Sequence, residues 1–430
     1  MKLSSTVLLL LLALYASAQT ISRDIHFRIN QLGYHPNENK MAIIFSESSV
    51  NEPFELVSDQ GSVLVKIKPL KVEAIPWGKF NYYTIDFTQV QTAGLYSLRS
   101  AKSGFKSRSF TISTDNYQGT TDDLLTFMRQ QRCGYNPFLD MVCHQRDGRI
   151  FYGNLPDSTF VDASGGWHDA GDQLKYLITG SYATAHMLMA YKLYPGKFSD
   201  KVNDLGQPFP NNIADVLDEA KWGLDWILKL HFAPDQLIHQ IADDRDHIGW
   251  KMPEPDPSNF GWGPNSYRVA YVANGKPQGL NVYKSQATGY ANVAGRSAAA
   301  LALGAQIWIE IDASFAMQCF DAALSLYALG KTHEGFQQGN SYGAPYRYNE
   351  QTWADDMEWG AAELFRLTGM PEFLADAKRY ATEANTDNWL MLDSASHYQY
   401  YPFINLGHYA LYDLVDDGFK TTLAAYYKKK

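Results

Sequence analysis

The spacing of apolar residues changes near Ser113, and this change divides the chain into two regions of different fold. Between about residues 25 and 113, short apolar-polar alternations and brief apolar runs are separated by turn residues such as Asp59-Gln60-Gly61. From about residue 119 onward, apolar residues recur every three or four positions. Alternation of apolar and polar residues is typical of strands, and a period of three to four residues is typical of amphipathic helices. The sequence therefore predicts a multidomain chain, with an all-β region followed by an all-α region.

Residues 25–113 are predicted to form an immunoglobulin-like β-sandwich, because short strands separated by turn signals at regular spacing are typical of that fold. The predicted strands are Phe27–Leu32, Met41–Phe45, Phe54–Val57, Val63–Ile67, Tyr82–Phe87, Leu95–Leu98 and Phe105–Ile112. A segment of this length is sufficient for such a sandwich.

Residues 118–430 are predicted to form eight or nine helices and almost no strand. The helical patterns cover about 120–132, 178–194, 212–230, 294–310, 313–330, 352–368, 371–386 and 406–428. Asn212 is the expected N-cap of the third helix, with Asp215 in its first turn. Two stretches, 133–172 and about 238–290, show no clear period, and loops of this length are usually functional.

The N-terminus has the features of an export signal. Lys2 precedes the apolar run Val7–Leu14, and Ala16-Ser17-Ala18 is a small-residue cleavage site, so residues 1–18 are expected to be a signal peptide. No apolar run reaches the roughly 18 to 20 residues that a transmembrane helix needs. We therefore expect a secreted or periplasmic protein without a membrane span.

Charge and cysteine content narrow the possible partners. The net charge of −9 argues against nucleic acid, whose phosphates favour a basic surface, and it suits a neutral partner. Three cysteines are few for a protein stabilised by disulfides, and Cys319 lies in a helical pattern as a predicted buried thiol. We expect a monomer.

Asp169 and Asp172 are the first candidates for chemistry. They flank Ala170-Gly171, a small pair that permits a tight turn and a close approach of substrate. Glycosidases use one carboxylate as base or nucleophile and a carboxylic acid across the scissile bond, and two nearby carboxylates could orient one water. The alternative is an Asp cap before a helix that starts near Leu174.

Cysteine and histidine side chains near this pair could bind zinc. Cys133, Cys143, His144 and His168 supply the ligand types of a tetrahedral zinc site, and four protein ligands would make it structural. The alternative is a Cys133–Cys143 disulfide with both histidines incidental.

A second set could bind calcium. Thr352, Asp355 and Asp356 offer a hydroxyl and adjacent carboxylates, and calcium takes six to eight oxygen ligands. The alternative is that Thr352 and Asp355 cap the following helix.

Aromatic side chains near the Asp pair suggest a sugar-binding cleft. The candidates are Trp167, beside the pair, and His247, Trp250 and Trp262 in the stretch 238–290. The alternative is an ordinary loop with a few anchoring aromatic residues.

These motifs together resemble glycoside hydrolase family 9, the cellulases. The resemblance rests on ordered segments that run from about residue 26 to the last residue. They are Phe27–Tyr34, which resembles the immunoglobulin-like module preceding many catalytic domains of the family, and Gly166–Tyr176, Lys221–Lys229, Ala294–Leu303 and Trp353–Ala362.

The resemblance implies an (α/α)6 barrel that hydrolyses β-1,4-glucans with inversion. It implies Asp172 as general base and Asp169 as its partner in holding the water. It also implies the four-residue zinc site and the calcium ligands named above. A further calcium ligand of the family is an Asp, and the segment Phe403–Gly407 has none.

The C-terminal part departs from the family pattern. The general acid of the family is a Glu on a later segment, and Glu358 and Glu363 match helix positions instead. Eight or nine predicted helices are fewer than the twelve of the barrel, so we expect an incomplete barrel and an impaired enzyme. The alternatives are a non-catalytic glycan-binding fragment and, less consistent with the acidic balance, a polysaccharide lyase.

Overall fold

The computed structural model describes residues 25–73, 78–386 and 406–428. The chain divides at Thr120 into two compact units. The predicted signal peptide lies outside the described residues. Among the described helices, none is long and apolar enough to cross a membrane.

The first unit consists of two four-stranded antiparallel sheets, which confirms the predicted sandwich. One sheet has the order β1-β2-β6-β5 and the other the order β4-β3-β7-β8. The strands are β1 His26–Arg28, β2 Met41–Ser46, β3 Phe54–Ser58, β4 Val63–Ile67, β5 Leu70–Lys71, β6 Asn81–Asp86, β7 Gly94–Ser100 and β8 Phe110–Ile112. Alternate apolar residues of both sheets, such as Ile44 and Leu98, are buried in a shared core.

The second unit is a helical domain, as predicted. Its helices are α1 Thr120–Gln130, α2 Leu177–Leu193, α3 Asp215–Leu230, α4 Ala291–Trp308, α5 Ala313–Thr332, α6 Ala354–Thr368, α7 Pro371–Thr386, α8 Gly407–Tyr412 and α9 Asp417–Lys428. Helix α4 packs against α2, α5 and α6 and is buried almost throughout, because alanine and leucine occupy all of its faces.

The start of α3 differs from the prediction. Asn212 has a φ of +67°, whereas an N-cap residue has an extended backbone. The residue before α3 is Ala214, and it provides no side-chain cap. Asn212 instead donates its N–H to Asp200, so it belongs to the preceding loop.

The two stretches without a clear period, and the two residues 175–176 shortly after the first, contain short strands, so the expectation of almost no strand is wrong there. The strands are β9 Tyr135–Asn136, β10 Met141–Val142, β11 Asp147–Phe151, β12 Lys175–Tyr176, β13 Ile238–Ile241 and β14 Arg268–Val272. The last four form a sheet of order β11-β14-β13-β12, with β11 and β14 parallel. Strands of two to five residues are too short to reveal a period, yet they bring the loops before β12 and after β13 together.

Candidate active site and metal centre

The two candidate carboxylates lie on one tight loop, residues 169–174, here called the Asp loop. The N–H of Asp169 donates to the Leu174 carbonyl at 2.9 Å, and Asp172 Oδ1 accepts from the Leu174 N–H at 3.1 Å. Helix α2 begins only at Leu177, after Tyr176. Asp172 therefore closes the loop and is not a helix cap.

Asp169 is enclosed by hydroxyl groups from other segments. Its Oδ2 accepts from the Tyr348 hydroxyl at 2.8 Å, and its Oδ1 accepts from the Thr179 hydroxyl at 3.1 Å. Burial raises the pKa of Asp169 to about 6. The hydrogen bond from Tyr348 opposes this shift, and the negative charge of Asp172 adds to it. Asp169 is thus held in a fixed orientation beside Asp172.

Asp172 contacts the loop that follows β13. Its carboxylate is 6% exposed, and its Oδ2 lies 3.2 Å from Nε2 of His247. The His247 ring packs edge-on against Tyr346, with ring centroids 4.3 Å apart. The N–H of Gln173 donates to Asp246 at 2.6 Å and gives the Asp loop a second anchor. The structure therefore brings His247 to the carboxylate itself.

The predicted substrate-binding residues Trp250 and Trp262 differ in how far their rings are exposed. Trp250 is 93% exposed, and its ring lies over Gly171, where an added Cβ would come within 2.9 Å of the ring. A flat, exposed ring beside Asp172 is suited to a sugar face. Trp262 is half-buried against Phe151, with the Arg149 guanidinium 5.4 Å from its ring.

The predicted substrate-binding residue Trp167 is held in the core by helix α3. Its side chain is only 7% exposed, and its indole N–H donates to Glu219 of α3 at 2.7 Å. An added Cβ at Gly223 would lie 2.5 Å from the ring, so the ring packs directly on that helix. Trp167 contributes to the core, and only its neighbours in sequence reach the Asp loop.

Sequence reasoning did not identify Tyr348 and Thr179 as site residues. Tyr348 lies 179 positions after Asp169, and no local pattern connects the two. Thr179 is in the first turn of α2, where a hydroxyl is unremarkable from sequence alone.

The four candidate zinc ligands converge in the structure. Their donor atoms all lie within 4.8 Å of one another, all four residues are buried, and both thiols are free, which excludes the disulfide alternative. The distances are 3.6 Å for Cys133 to His144, 3.8 Å for Cys143 to His168 and 3.2 Å for His144 to His168. Zinc–sulfur bonds of about 2.3 Å and zinc–nitrogen bonds of about 2.0 Å give tetrahedron edges of roughly 3.3 to 3.8 Å. The donor set fits zinc.

Backbone hydrogen bonds explain how three segments meet at these ligands. The Cys133 N–H donates to Gly166, and the His168 N–H donates to Gln131. The hairpin of β9 and β10 returns the chain, so that the Cys143 N–H donates to Gly134. His144 Nε2 lies 3.4 Å from Asp256, so Nδ1 is the atom available to the cluster. Such an outer carboxylate orients a ligand histidine.

The predicted calcium ligands do not form a comparable cluster. Within the described ranges, the four zinc candidates are the one group of three or more His, Cys, Asp or Glu donors that converge. Asp356 is fully buried, and its Oδ1 accepts from Arg296 at 2.6 Å. The same guanidinium donates to Glu350 at 2.8 Å. Arg296 thus occupies one oxygen of Asp356, and calcium binding by Thr352, Asp355 and Asp356 stays a prediction.

The capping alternative at this helix is also not formed. Trp353 precedes α6, and it has no side-chain cap bond. Burial and the negative charge of Glu350 raise the pKa of Asp355 to about 7, although Arg296 opposes the shift. Thr352 therefore does not cap this helix, and its calcium role stays a prediction. The family's remaining calcium position falls in 403–407, which lies largely outside them.

Comparisons with known families agree with the motifs. The family model described as "Glycosyl hydrolase family 9" matches residues 117–429, and the one described as "Cellulase N-terminal ig-like domain" matches residues 23–104. The resemblance stated from the sequence is confirmed for both regions.

Individual relatives are distant. Endoglucanase D of Acetivibrio thermocellus is 28% identical over 84% of this chain and 54% of its own length. A xyloglucan-specific endo-β-1,4-glucanase of Bacteroides ovatus is 26% identical over 86% of this chain and 62% of its own length. The chain thus spans about half the length of the curated relatives it matches.

Solved structures show the same fold. A metagenome-derived endoglucanase of glycoside hydrolase family 9 has a TM-score of 0.65 at 24% identity, covering 93% of this chain and 71% of the other. A Zn-binding triple mutant of an endoglucanase of the same family has a TM-score of 0.66 at 22% identity, covering 91% and 70%.

Proposed function

The chain belongs to glycosyl hydrolase family 9, and from this premise we propose that it hydrolyses β-1,4-linked glucan of the cellulose type with inversion. Asp172 is the proposed general base, and Asp169 its partner in holding the water. One observation carries the proposal: the two carboxylates share one tight loop beside the exposed ring of Trp250.

The geometry supports a division of roles between the two carboxylates. Asp172 is fixed by the Leu174 N–H and contacts His247, and its carboxylate keeps lone pairs that can accept a proton from water. In inversion, the base deprotonates a water that attacks the anomeric carbon opposite the leaving group. Asp169 accepts from Tyr348 and Thr179, so it is oriented to hold the same water without changing position.

The acid that protonates the leaving group is not assigned to a residue. Glu358 and Glu363 are both fully buried in α6. Glu358 lies 2.7 Å from His408, and Glu363 lies 3.2 Å from Lys192. Their burial agrees with the sequence expectation that they occupy structural helix positions.

Trp250 and Trp262 are the proposed substrate-binding rings. The names of the relatives, an endoglucanase and a xyloglucan-specific endo-β-1,4-glucanase, support a β-1,4-glucan backbone as substrate. An exposed indole stacks on the apolar face of a pyranose ring, and Trp250 lies over Gly171, beside the proposed base. Residues 1–18 remain the proposed export signal of a secreted or periplasmic enzyme.

Zinc is the proposed structural metal of the enzyme. Cys133, Cys143, His144 and His168 would hold it in a closed site, where it would supply a crosslink and no catalytic chemistry. The ligand His168 precedes Asp169 directly. Holding His168 would therefore fix the start of the Asp loop.

The test is the release of reducing ends from a soluble cellulose derivative by the wild type and by Asp172→Ala. Loss of a general base is expected to lower kcat by about 100- to 10,000-fold. Asp225→Ala is the matched control, because Asp225 is a half-exposed carboxylate on α3 that pairs with Lys221 of the same helix. Full activity of Asp172→Ala would refute the base assignment. Glucan binding by the wild type without turnover would favour the glycan-binding alternative.

A further inference from the structure

The carboxylate of Asp244 joins two loops that are distant in sequence. Its Oδ1 accepts from the Tyr342 N–H, and its Oδ2 accepts from the Gly343 and Ala344 N–H groups at 2.7 and 2.8 Å. Asp244 opens the 3-10 turn Asp244–Asp246 after β13. Hydrogen bonds from backbone N–H groups to a carboxylate are charge-assisted and stronger than neutral ones. Three on one side chain make a firm connection.

Each of the two joined loops carries a partner of one active-site carboxylate. In the first loop, His247 contacts Asp172, and its own N–H donates to the Asp244 carbonyl at 3.1 Å. In the second loop, Tyr348 donates to Asp169. Asp244 therefore lies at the junction between the two partners.

Other contacts hold the second loop only in part. Gln240 binds the backbone of Asn340 with both its amide oxygen and its amide nitrogen. The Arg245 guanidinium lies 4.0 Å from the Tyr342 ring centroid. These contacts fix the beginning of the loop, before Gly343. At its end, the Gly339 N–H donates to the Tyr348 carbonyl at 3.0 Å, and the Tyr348 ring packs edge-on against Tyr176 with centroids 4.9 Å apart. Loss of the Asp244 carboxylate would thus loosen the middle of the loop, Tyr342–Ala344, and would shift Tyr348 without releasing the whole loop.

We propose that Asp244 is a positioning residue for the hydrolytic reaction, holding His247 and Tyr348 together so that Asp172 and Asp169 are oriented as a pair. The proposal rests on the proposed function of that pair. Asp244 touches neither carboxylate, and its effect passes through the two loops.

The first experiment compares kcat and KM of the wild type, Asp244→Ala and Asp244→Asn on a soluble β-1,4-glucan. A displacement of about 1 Å at a reacting group can cost about 100-fold, so Asp244→Ala is expected to lower kcat by about 10- to 100-fold with little change in KM. Asparagine keeps one acceptor oxygen and is expected to restore part of kcat. Asp200→Ala is the matched control, because Asp200 accepts two backbone N–H groups, from Asn211 and Asn212.

The second experiment follows the loop itself. Hydrogen exchange of peptides that contain Tyr342–Ala344 is expected to be faster in Asp244→Ala than in the wild type or Asp200→Ala, since three amides lose their acceptor. Combining Asp244→Ala with Tyr348→Phe is expected to cost less than the sum of the two single changes, because both act in part through Asp169. Should Asp244→Ala fail to fold, Asp244→Asn serves in both measurements.

The outcomes separate this proposal from the proposed function. Wild-type kcat in Asp244→Ala, unchanged exchange at Tyr342–Ala344, or full additivity with Tyr348→Phe would each overturn the positioning role. A wild type that releases no reducing ends would refute the proposed function instead. In that case the exchange difference still decides whether Asp244 holds the loop.

Discussion

The two predicted metal sites differ in what surrounds their donors. At the first, Cys133, Cys143, His144 and His168 come from three segments and approach one another at the spacing of a zinc tetrahedron. At the second, Asp356 and Glu350 converge on Arg296, and its guanidinium forms an ion pair with each of them from within the chain. The sequence displays the donors of both sites equally well. It does not display the competing cation, which lies 60 positions before Asp356.

The difference between the two sites applies to buried carboxylate clusters in general. A buried carboxylate needs a positive or hydrogen-bonding partner, and either an ion or an arginine can supply it. Soft thiolate and imidazole donors favour zinc, and arginine does not substitute for it. A prediction from Cys and His is therefore more robust than one from Asp alone.

The largest expected effect is that of Arg296→Leu. Asp356 and Glu350 would remain buried without their partner, and breaking such a pair costs about 3–5 kcal/mol of the free energy of unfolding. Arg379→Leu removes partly exposed ion pairs with Glu334 and Glu383 and is the control, with an expected cost of about 1 kcal/mol or less. The measurement is urea unfolding with and without millimolar calcium. Recovery of Arg296→Leu by calcium would mean that the ion can bind here after all.

Removal of zinc is expected to have the next largest effect. A ligand present at 100 times its Kd stabilises the fold by about 3 kcal/mol, so a zinc-selective chelator should lower Tm while a calcium chelator should not. Cys133→Ser should abolish the response to the zinc chelator. Cys319→Ser is the matched control, because Cys319 is buried but lies outside the cluster, and it should keep the response. An equal response in both variants would contradict the assigned ligands.

A smaller effect is expected from Asp355→Asn, and it depends on pH. The pKa of Asp355 is about 7 in the fold, above its usual value near 3.8, so the folded state favours the protonated form. Stability attributable to this group is therefore lost as pH rises from about 4 through 7. Asparagine carries no charge, so the variant should have a higher Tm than the wild type at pH 8 and a similar one at pH 4. A lower Tm at pH 8 would instead indicate a bound cation.

Sequence alone predicted the long, periodic parts of the fold and the local parts of the site. Helices such as α5 repeat their apolar residues over five turns, whereas β12 has two residues and pairs with β13 far along the chain. The closeness of Asp169 and Asp172 was predictable because they belong to one motif, and their catalytic roles stay predictions. Tyr348 and Asp244 were not predictable, since their roles depend on contacts between loops about 100 or more positions apart. The burial of Trp167 against α3 was not predicted, because a sequence does not show which side of a loop faces that helix.

The most direct test of inversion with Asp172 as the base is proton NMR of the first product released from a β-1,4-glucan oligosaccharide. If Asp172 activates water for attack opposite the leaving group, the new reducing end appears first as the α-anomer and then mutarotates. Initial release of the β-anomer would mean retention through a covalent intermediate, and it would contradict the role of Asp172 as the base of an inverting glycosidase.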